Sequence, residues 1–242
     1  MNSTENDHGP DEEGSFFIDP HVHSIYSSDG VPTVRELFLK ARQIGLQGFG
    51  ITDHNDIRSA QEGLNLAKEF TDIIFIPGVE VTTDKGHILA LNVTESIPRD
   101  KTIAQTIELI HAQGGVAVAD HPYRGWSGIG EQAVLDNLEG FDAIESFNAR
   151  NILNQTKKAK ALVERTGKPD VGGSDCHVAA ELGGGYTVLE TRPETVEDFL
   201  EEIRQGRTKA GTGKFVKVGP GKILRQGAHC VASWLKRGMK DI

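Results

Sequence analysis

Sulfur is scarce in this chain: its 242 residues include two cysteines, Cys176 and Cys230, with no CxxC spacing. That is too few for a disulfide framework and gives no thiolate zinc site, so neither stability nor metal binding is expected to rest on sulfur. Cys176 lies between Asp175 and His177, but on a strand its side chain points to the face opposite theirs. Long apolar runs are missing too. Nothing approaches the roughly 20 residues of a membrane span, and Met1 to Gly14 has no apolar h-region. That segment carries no apolar residue after Met1, so residues 1–14 are expected to form a disordered acidic leader on a cytoplasmic protein. No internal repeat is present, and no feature marks a stable protein partner.

Acidic residues almost vanish at the other end. Up to Ile203 there are 16 basic and 34 acidic residues, whereas Arg204 to Ile242 holds 10 basic and one acidic. An acidic body disfavours extended contact with a nucleic-acid backbone, which needs Lys and Arg to neutralise phosphates. The basic tail, 208–242, carries Ile223, Leu224, Val231, Trp234 and Leu235 among its charges, the pattern of a short amphipathic helix. It reads either as a helix docked on the acidic body or as a surface for membrane or RNA.

Between leader and tail, 15–207 alternates short apolar runs with amphipathic stretches. Strands are expected at Phe16–Asp19, Gly48–Thr52, Ile73–Ile76, His87–Val93, Val116–Ala119, Ala143–Phe147 and Val171–Ser174. Helices are expected at Thr33–Ile44, Ile57–Phe70, Thr102–His111, Glu131–Leu138, Gln155–Arg165 and, after the run Tyr186–Leu189, at Pro193–Arg204, where Pro193 suits a first turn. Strand alternating with helix implies an α/β fold with a parallel sheet and crossovers, closed as a barrel or open and doubly wound.

Six of the nine histidines sit at or just past the carboxyl end of an expected strand: His21, His23, His54, His87, His121 and His177. In parallel α/β folds those ends and the following loops converge, so residues scattered in sequence become one cluster. His21 and His23, spaced i, i+2 on an extended segment, point to one face about 7 Å apart at Cα. Asp19 is in phase with them, a candidate catalytic carboxylate. Two histidines on one strand face are also satisfied by carbonyls or water, so the pair alone decides nothing. Asp53-His54, Asp120-His121 and Asp175-Cys176-His177 each follow an apolar run, and a metal-bound histidine needs a partner for its second nitrogen. Glu80 ends an apolar stretch where an unpaired charge is costly; a metal, or a salt bridge to Lys85 or a nearby arginine, would account for it.

Taken in order, Asp19-Pro20-His21-Val22-His23-Ser24, Ser28-Asp29-Gly30, Ile51-Thr52-Asp53-His54-Asn55, Pro77-Gly78-Val79-Glu80, Gly86-His87-Ile88-Leu89, Asp120-His121-Pro122 and Gly173-Ser174-Asp175-Cys176-His177 resemble the PHP (polymerase and histidinol phosphatase) family across roughly Phe16 to Arg207. The resemblance implies a distorted (β/α)7 barrel with two or three divalent metals at the C-terminal ends of its strands. It assigns His21, His23, Glu80 and Asp175 to one metal, Glu80, His87 and His121 to a second, and Asp29, His54 and His177 to a third. Asp29, where some members have histidine, is similar to the small stand-alone nucleotide phosphoesterases rather than to histidinol phosphatase. The chemistry expected is hydrolysis of a phosphomonoester or phosphodiester of a nucleotide or the end of a short oligonucleotide, by a metal-activated water. A sugar or metabolite phosphatase and a non-catalytic metal-binding regulator are the alternatives. Oxygen and nitrogen ligands without thiolate suit manganese, iron or zinc. Arg124 and Arg150 are candidates to grip the substrate phosphate, or else ordinary surface arginines.

Overall fold

The computed structural model describes residues 14–216, so most of the acidic leader, the tail from residue 217, and His8, His229 and Cys230 lie outside the described residues. Strands β1 (Phe16–Val22), β2 (Gly48–Ile51), β3 (Ile74–Thr82), β4 (His87–Leu91), β5 (Val116–Ala119), β6 (Ala143–Asn148), β7 (Asp170–Gly173), β8 (Gly185–Leu189) and β9 (Thr208–Thr212) alternate with helices α1 (Val34–Ile44), α2 (Arg58–Leu66), α3 (Ile103–Ala112), α4 (Glu131–Asp136), α5 (Gln155–Thr166) and α6 (Val196–Arg204). None of these helices is long and apolar enough to cross a membrane.

The nine strands form one sheet in the order β7-β6-β5-β4-β3-β2-β1-β8-β9. β1 has two neighbours on its outer side. Its first half pairs antiparallel with β8, while past a register shift its second half meets the chain beyond β7: Asp175 N donates to His21 O, and His23 N to Cys176 O, both at 2.8 Å. That junction closes strands β1 to β7 into a distorted α/β barrel, with β8 and β9 laid against β7 below it.

Two features differ from the expected parallel sheet. β3–β4 and β4–β5 are antiparallel, because Thr83–Gly86 is a tight turn in which Thr83 N donates to Gly86 O, too short for a crossover. The reversal matters to function: it brings His87, first residue of β4, to the end where the parallel strands finish. The other departure is β9, which adds antiparallel to β8, so the sheet passes the boundary expected at 207; Phe215 still packs edge-on against Phe17 and Tyr186.

Local sequence explains the helices. Thr33 caps α1 with Glu36 reaching back to the cap, and Gly45 ends it at φ 75°, a left-handed conformation suited to glycine. Val34, Leu37, Phe38 and Ala41 then share one buried face, where Phe38 packs on Phe49, Phe70 and Phe75. Pro193 does not open α6: Thr195 caps it in a box with Asp198, so the helix starts three residues later than expected.

Inside the barrel a period of two carries each strand from apolar to polar. Val116 and Val118 lead to Asp120, Ile76 and Gly78 to Glu80, Val171 and Gly173 to Asp175, and Leu91 and Leu89 back to His87. The apolar halves form a core with Phe199, Leu200 and Ile203 of α6 at its base. The polar halves meet at the mouth.

Candidate metal centre

At the mouth a single carboxylate gathers five imidazoles. Glu80 Oε2 lies 3.1 Å from His54 Nδ1, 3.2 Å from His23 Nε2 and 3.5 Å from His21 Nε2. Its Oε1 lies 3.4 Å from His121 Nε2 and in contact with His87 Nδ1. Asp175 Oδ1 stands 3.2 Å from His23 Nε2 and 3.6 Å from His21 Nε2, while Asp29 reaches His177 Nε2 at 2.9 Å and His54 Nε2 at 3.8 Å. Glu80 has no pairing with Lys85; its ionic neighbours are histidines.

Nine residues that the sequence singled out as ligands, His21, His23, Asp29, His54, Glu80, His87, His121, Asp175 and His177, are thus brought together, all of them buried or nearly so. Ligand-capable atoms fall into overlapping groups within 4.8 Å: His21, His23 and Asp175; His54, Glu80 and His87; His23, His54 and His177; and His21, Glu80, Asp120 and His121. The last group adds Asp120, expected only to orient His121.

Neighbouring side chains fix the imidazoles by their other nitrogens. Glu145 Oε1 holds His21 Nδ1 at 2.8 Å, the Ser27 hydroxyl holds His23 Nδ1 at 3.0 Å, and the Asp175 carbonyl holds His177 Nδ1 at 2.9 Å. Asp53 does not orient His54 in this way. It accepts from Ser24 N, the Ser24 hydroxyl and Ser27 N, tying the loop after β1 to the end of β2. Asp19 is likewise not brought to the mouth. Two residues deeper than His21, its carboxylate accepts from the backbone of His21, Ser174 and Gly183, and burial raises its pKa to about 6. It is a structural tie between β1 and the loops around β7, and the catalytic assignment falls.

Arg124 and Arg150 do reach the site. Both line a cavity of about 650 Å³ together with Asp29, His54, Glu80, His87, Asp175 and His177. Arg124 donates to Asp175 Oδ2 at 2.7 Å and to Asn148 Oδ1 at 2.8 Å. The same Asn148 donates to Glu145 Oε2, linking arginine, carboxylate and His21 in one network. Glu145 and Asn148 lie on β6, whose run Ala143–Phe147 reads in sequence as an ordinary buried strand; the period-two phase of Glu145 was the available signal.

This arrangement has the fold of a known group. A solved two-domain protein from Bacteroides vulgatus, described as containing a predicted PHP-like metal-dependent phosphoesterase, superposes with a TM-score of 0.70 at 20% identity, over 94% of this chain and 72% of that one. The PHP-associated family model matches residues 154–208. An uncharacterized protein of Methanocaldococcus jannaschii is 32% identical over 157 residues, which cover 60% of this chain and 91% of the relative. The chain belongs to the PHP family. Other relatives are a probable phosphatase of Serratia proteamaculans, 25% identical over 78% of this chain and 95% of its own length, and a 5'-3' exoribonuclease of Haemophilus influenzae, 32% identical over 42% of this chain and 38% of its own length.

Whether these PHP residues fit a metal is answered by their unmet valences. Glu80 Oε2, Asp29 Oδ1, both Asp120 oxygens, and Nδ1 of His54 and His121 are buried and make no aligned hydrogen bond, even where an imidazole nitrogen and a carboxylate oxygen stand close, although buried polar atoms are ordinarily paired. His21 Nε2 and His23 Nε2 face each other at 3.2 Å, a contact in which at most one hydrogen fits and in which two lone pairs repel. Burial pushes Asp120 up to about 7 and His121 down to about 4, as expected of groups cut off from water. Burial acts the same way on Glu80, yet the histidines around it, His54 and His87 foremost, hold its carboxyl well below the usual range. Divalent cations within the cluster would satisfy the unpaired carboxylate oxygens and the facing Nε2 atoms of His21 and His23, and imidazole with carboxylate is a donor set for such ions.

Proposed function

We propose that this PHP protein hydrolyses a phosphoester of a nucleotide or of the end of a short oligonucleotide, with two or three divalent ions, manganese, iron or zinc, held by the nine residues named above and Glu80 shared between two. The observation that carries this reading is the closed cluster of imidazoles and carboxylates opening into a cavity that two arginines line. Bound there, such ions supply Lewis-acid polarisation of phosphoryl oxygens and a hydrolytic water of lowered pKa.

The chain's own residues do the rest. Glu145, Ser27 and the Asp175 carbonyl hold three imidazoles in the tautomer that turns the other nitrogen inward. Arg124, anchored by Asp175 and Asn148, presents a planar guanidinium at the cavity wall, the geometry that binds phosphoryl oxygens in pairs. No side chain needs to act as a nucleophile.

A metabolite phosphatase is the second reading, supported by the similarity to the Serratia phosphatase over most of both chains; the Haemophilus exoribonuclease supports the first. The deciding experiment measures phosphate release by manganese-loaded protein from nucleoside 3',5'-bisphosphates, short oligonucleotides, histidinol phosphate and aryl phosphates. Preference for the base-bearing substrates is expected; turnover of histidinol phosphate alone would replace the first reading with the second.

A further inference from the structure

The rim of the cavity carries a side chain that neither the metal cluster nor the phosphate grip accounts for. Trp126 is 91% exposed, yet it lines the same cavity as Arg124, Arg150, His87 and His177. Tryptophan is usually well covered, and a fully displayed indole at the entrance of a cavity lined largely by ionisable residues presents a large flat apolar face to whatever enters. Ile152, 50% exposed, lines the cavity as well, from the loop between β6 and α5.

The display is built rather than incidental. Trp126 stands on the turn between His121 and α4, which the backbone closes repeatedly: Arg124 N donates to His121 O, Gly128 N to Arg124 O, and Gly130 N to Pro122 O. Gly128 sits so close to this turn that a Cβ there would lie 2.6 Å from Arg124 N and O. His87 N donates to Ser127 O, which fastens the turn to the start of β4 and hence to the metal cluster. The backbone that carries the indole is therefore held by a short bonded turn, two residues from Arg124 and at a fixed place relative to His121 and His87.

An exposed aromatic beside a phosphate-binding arginine matches a ligand with a phosphate at one end and a flat aromatic group at the other. A nucleotide has that chemistry, and stacking on an aromatic face accepts every base. We propose that Trp126 is the base platform of this site, against which the nucleobase next to the scissile phosphate stacks, making the enzyme selective for base-bearing phosphoesters without regard to base identity. This rests on the nucleotide reading above and adds to it the residue that sets the preference.

The test compares kcat and KM of wild-type, Trp126→Ala and Trp126→Phe on a nucleotide and on the matching sugar phosphate without a base, each with its metal content measured. Stacking on an aromatic is worth enough that its loss weakens binding by about 5- to 150-fold. Trp126→Ala should therefore lower the ratio of nucleotide to baseless kcat/KM by about that factor, mainly through KM, and Trp126→Phe should restore most of it. The four natural bases should lose alike. An equal loss on both substrates, with metal content reduced, would show a structural role for the turn and overturn the platform. So would a nucleotide preference that survives in Trp126→Ala. A wild-type enzyme that turns over the baseless phosphate as well as the nucleotide would instead overturn the nucleotide reading, and the platform with it.

Discussion

At the level of single residues, the histidines of the cluster were legible because each sits at or just past one end of a strand, and such ends converge whatever their distance in sequence, whereas Asp29, in the loop after β1, was reached only through the resemblance to the PHP family. What sequence phase does not give is depth. Asp19 shares the face of His21 and His23, yet it lies two residues further down the barrel, where backbone amides of Ser174 and Gly183 meet its carboxylate instead of the cavity. Glu145 and Asn148 stand out little in the sequence for the complementary reason: they act through other side chains and have no histidine beside them. Glu145→Gln should weaken metal binding by about 10- to 100-fold while leaving the fold intact, as loss of a histidine's orienting partner does elsewhere. A competition titration with a metallochromic chelator measures it, and unchanged affinity would remove Glu145 from the account. His21→Ala and Glu80→Ala should each abolish turnover in a protein with a native circular dichroism spectrum. Glu80→Ala should lose the most metal, since Glu80 touches five of the imidazoles.

At the level of elements, apolar periodicity located every α-helix and seven of the nine strands, and marked the eighth only as an apolar run, Tyr186–Leu189, but it says nothing about strand direction. The hairpin between β3 and β4 was signalled only by Asp84-Lys85-Gly86, a turn sequence between two apolar runs. β9 was hidden because Thr208-Lys209-Ala210-Gly211-Thr212 is hardly apolar; it is held by its ladder to β8 and by Asp170, which accepts from Ala210 N, so the tertiary setting and not propensity makes it a strand. Two truncations follow from this correction. A chain ending at residue 207 loses β9, uncovers β8 and should fail to give a cooperative thermal transition, whereas one ending at 216 should melt cooperatively and hold metal. Cooperative melting of the shorter chain would return the boundary to 207. In the core between α1 and the sheet, Phe38→Ala should cost about 3–5 kcal/mol, since it removes a fully buried ring from contact with three others. Urea unfolding of metal-loaded protein reads that loss, and a cost below about 1 kcal/mol would contradict the packing described.

At the level of the whole molecule, the barrel is two regions stacked along shared strands, an apolar base closed by α6 and a polar mouth whose groups repel or orphan one another. A divalent cation bound in such a mouth would offset that repulsion, so metal binding and fold stability should be thermodynamically linked. Stripping the protein with a chelator should lower its melting temperature, and adding back divalent ion should restore it; a melting curve indifferent to metal would show that the buried carboxylates are satisfied some other way. The central claim is that this cluster holds the ions that hydrolyse the phosphoester. Its most direct test is a titration of manganese into metal-stripped protein with phosphate release from a nucleoside 3',5'-bisphosphate as the readout. No release from the stripped protein is predicted, with activity rising to a plateau at two or three ions per chain in the wild type and staying flat in Glu80→Ala. Full activity before any manganese is added, or an unchanged plateau in Glu80→Ala, would contradict it.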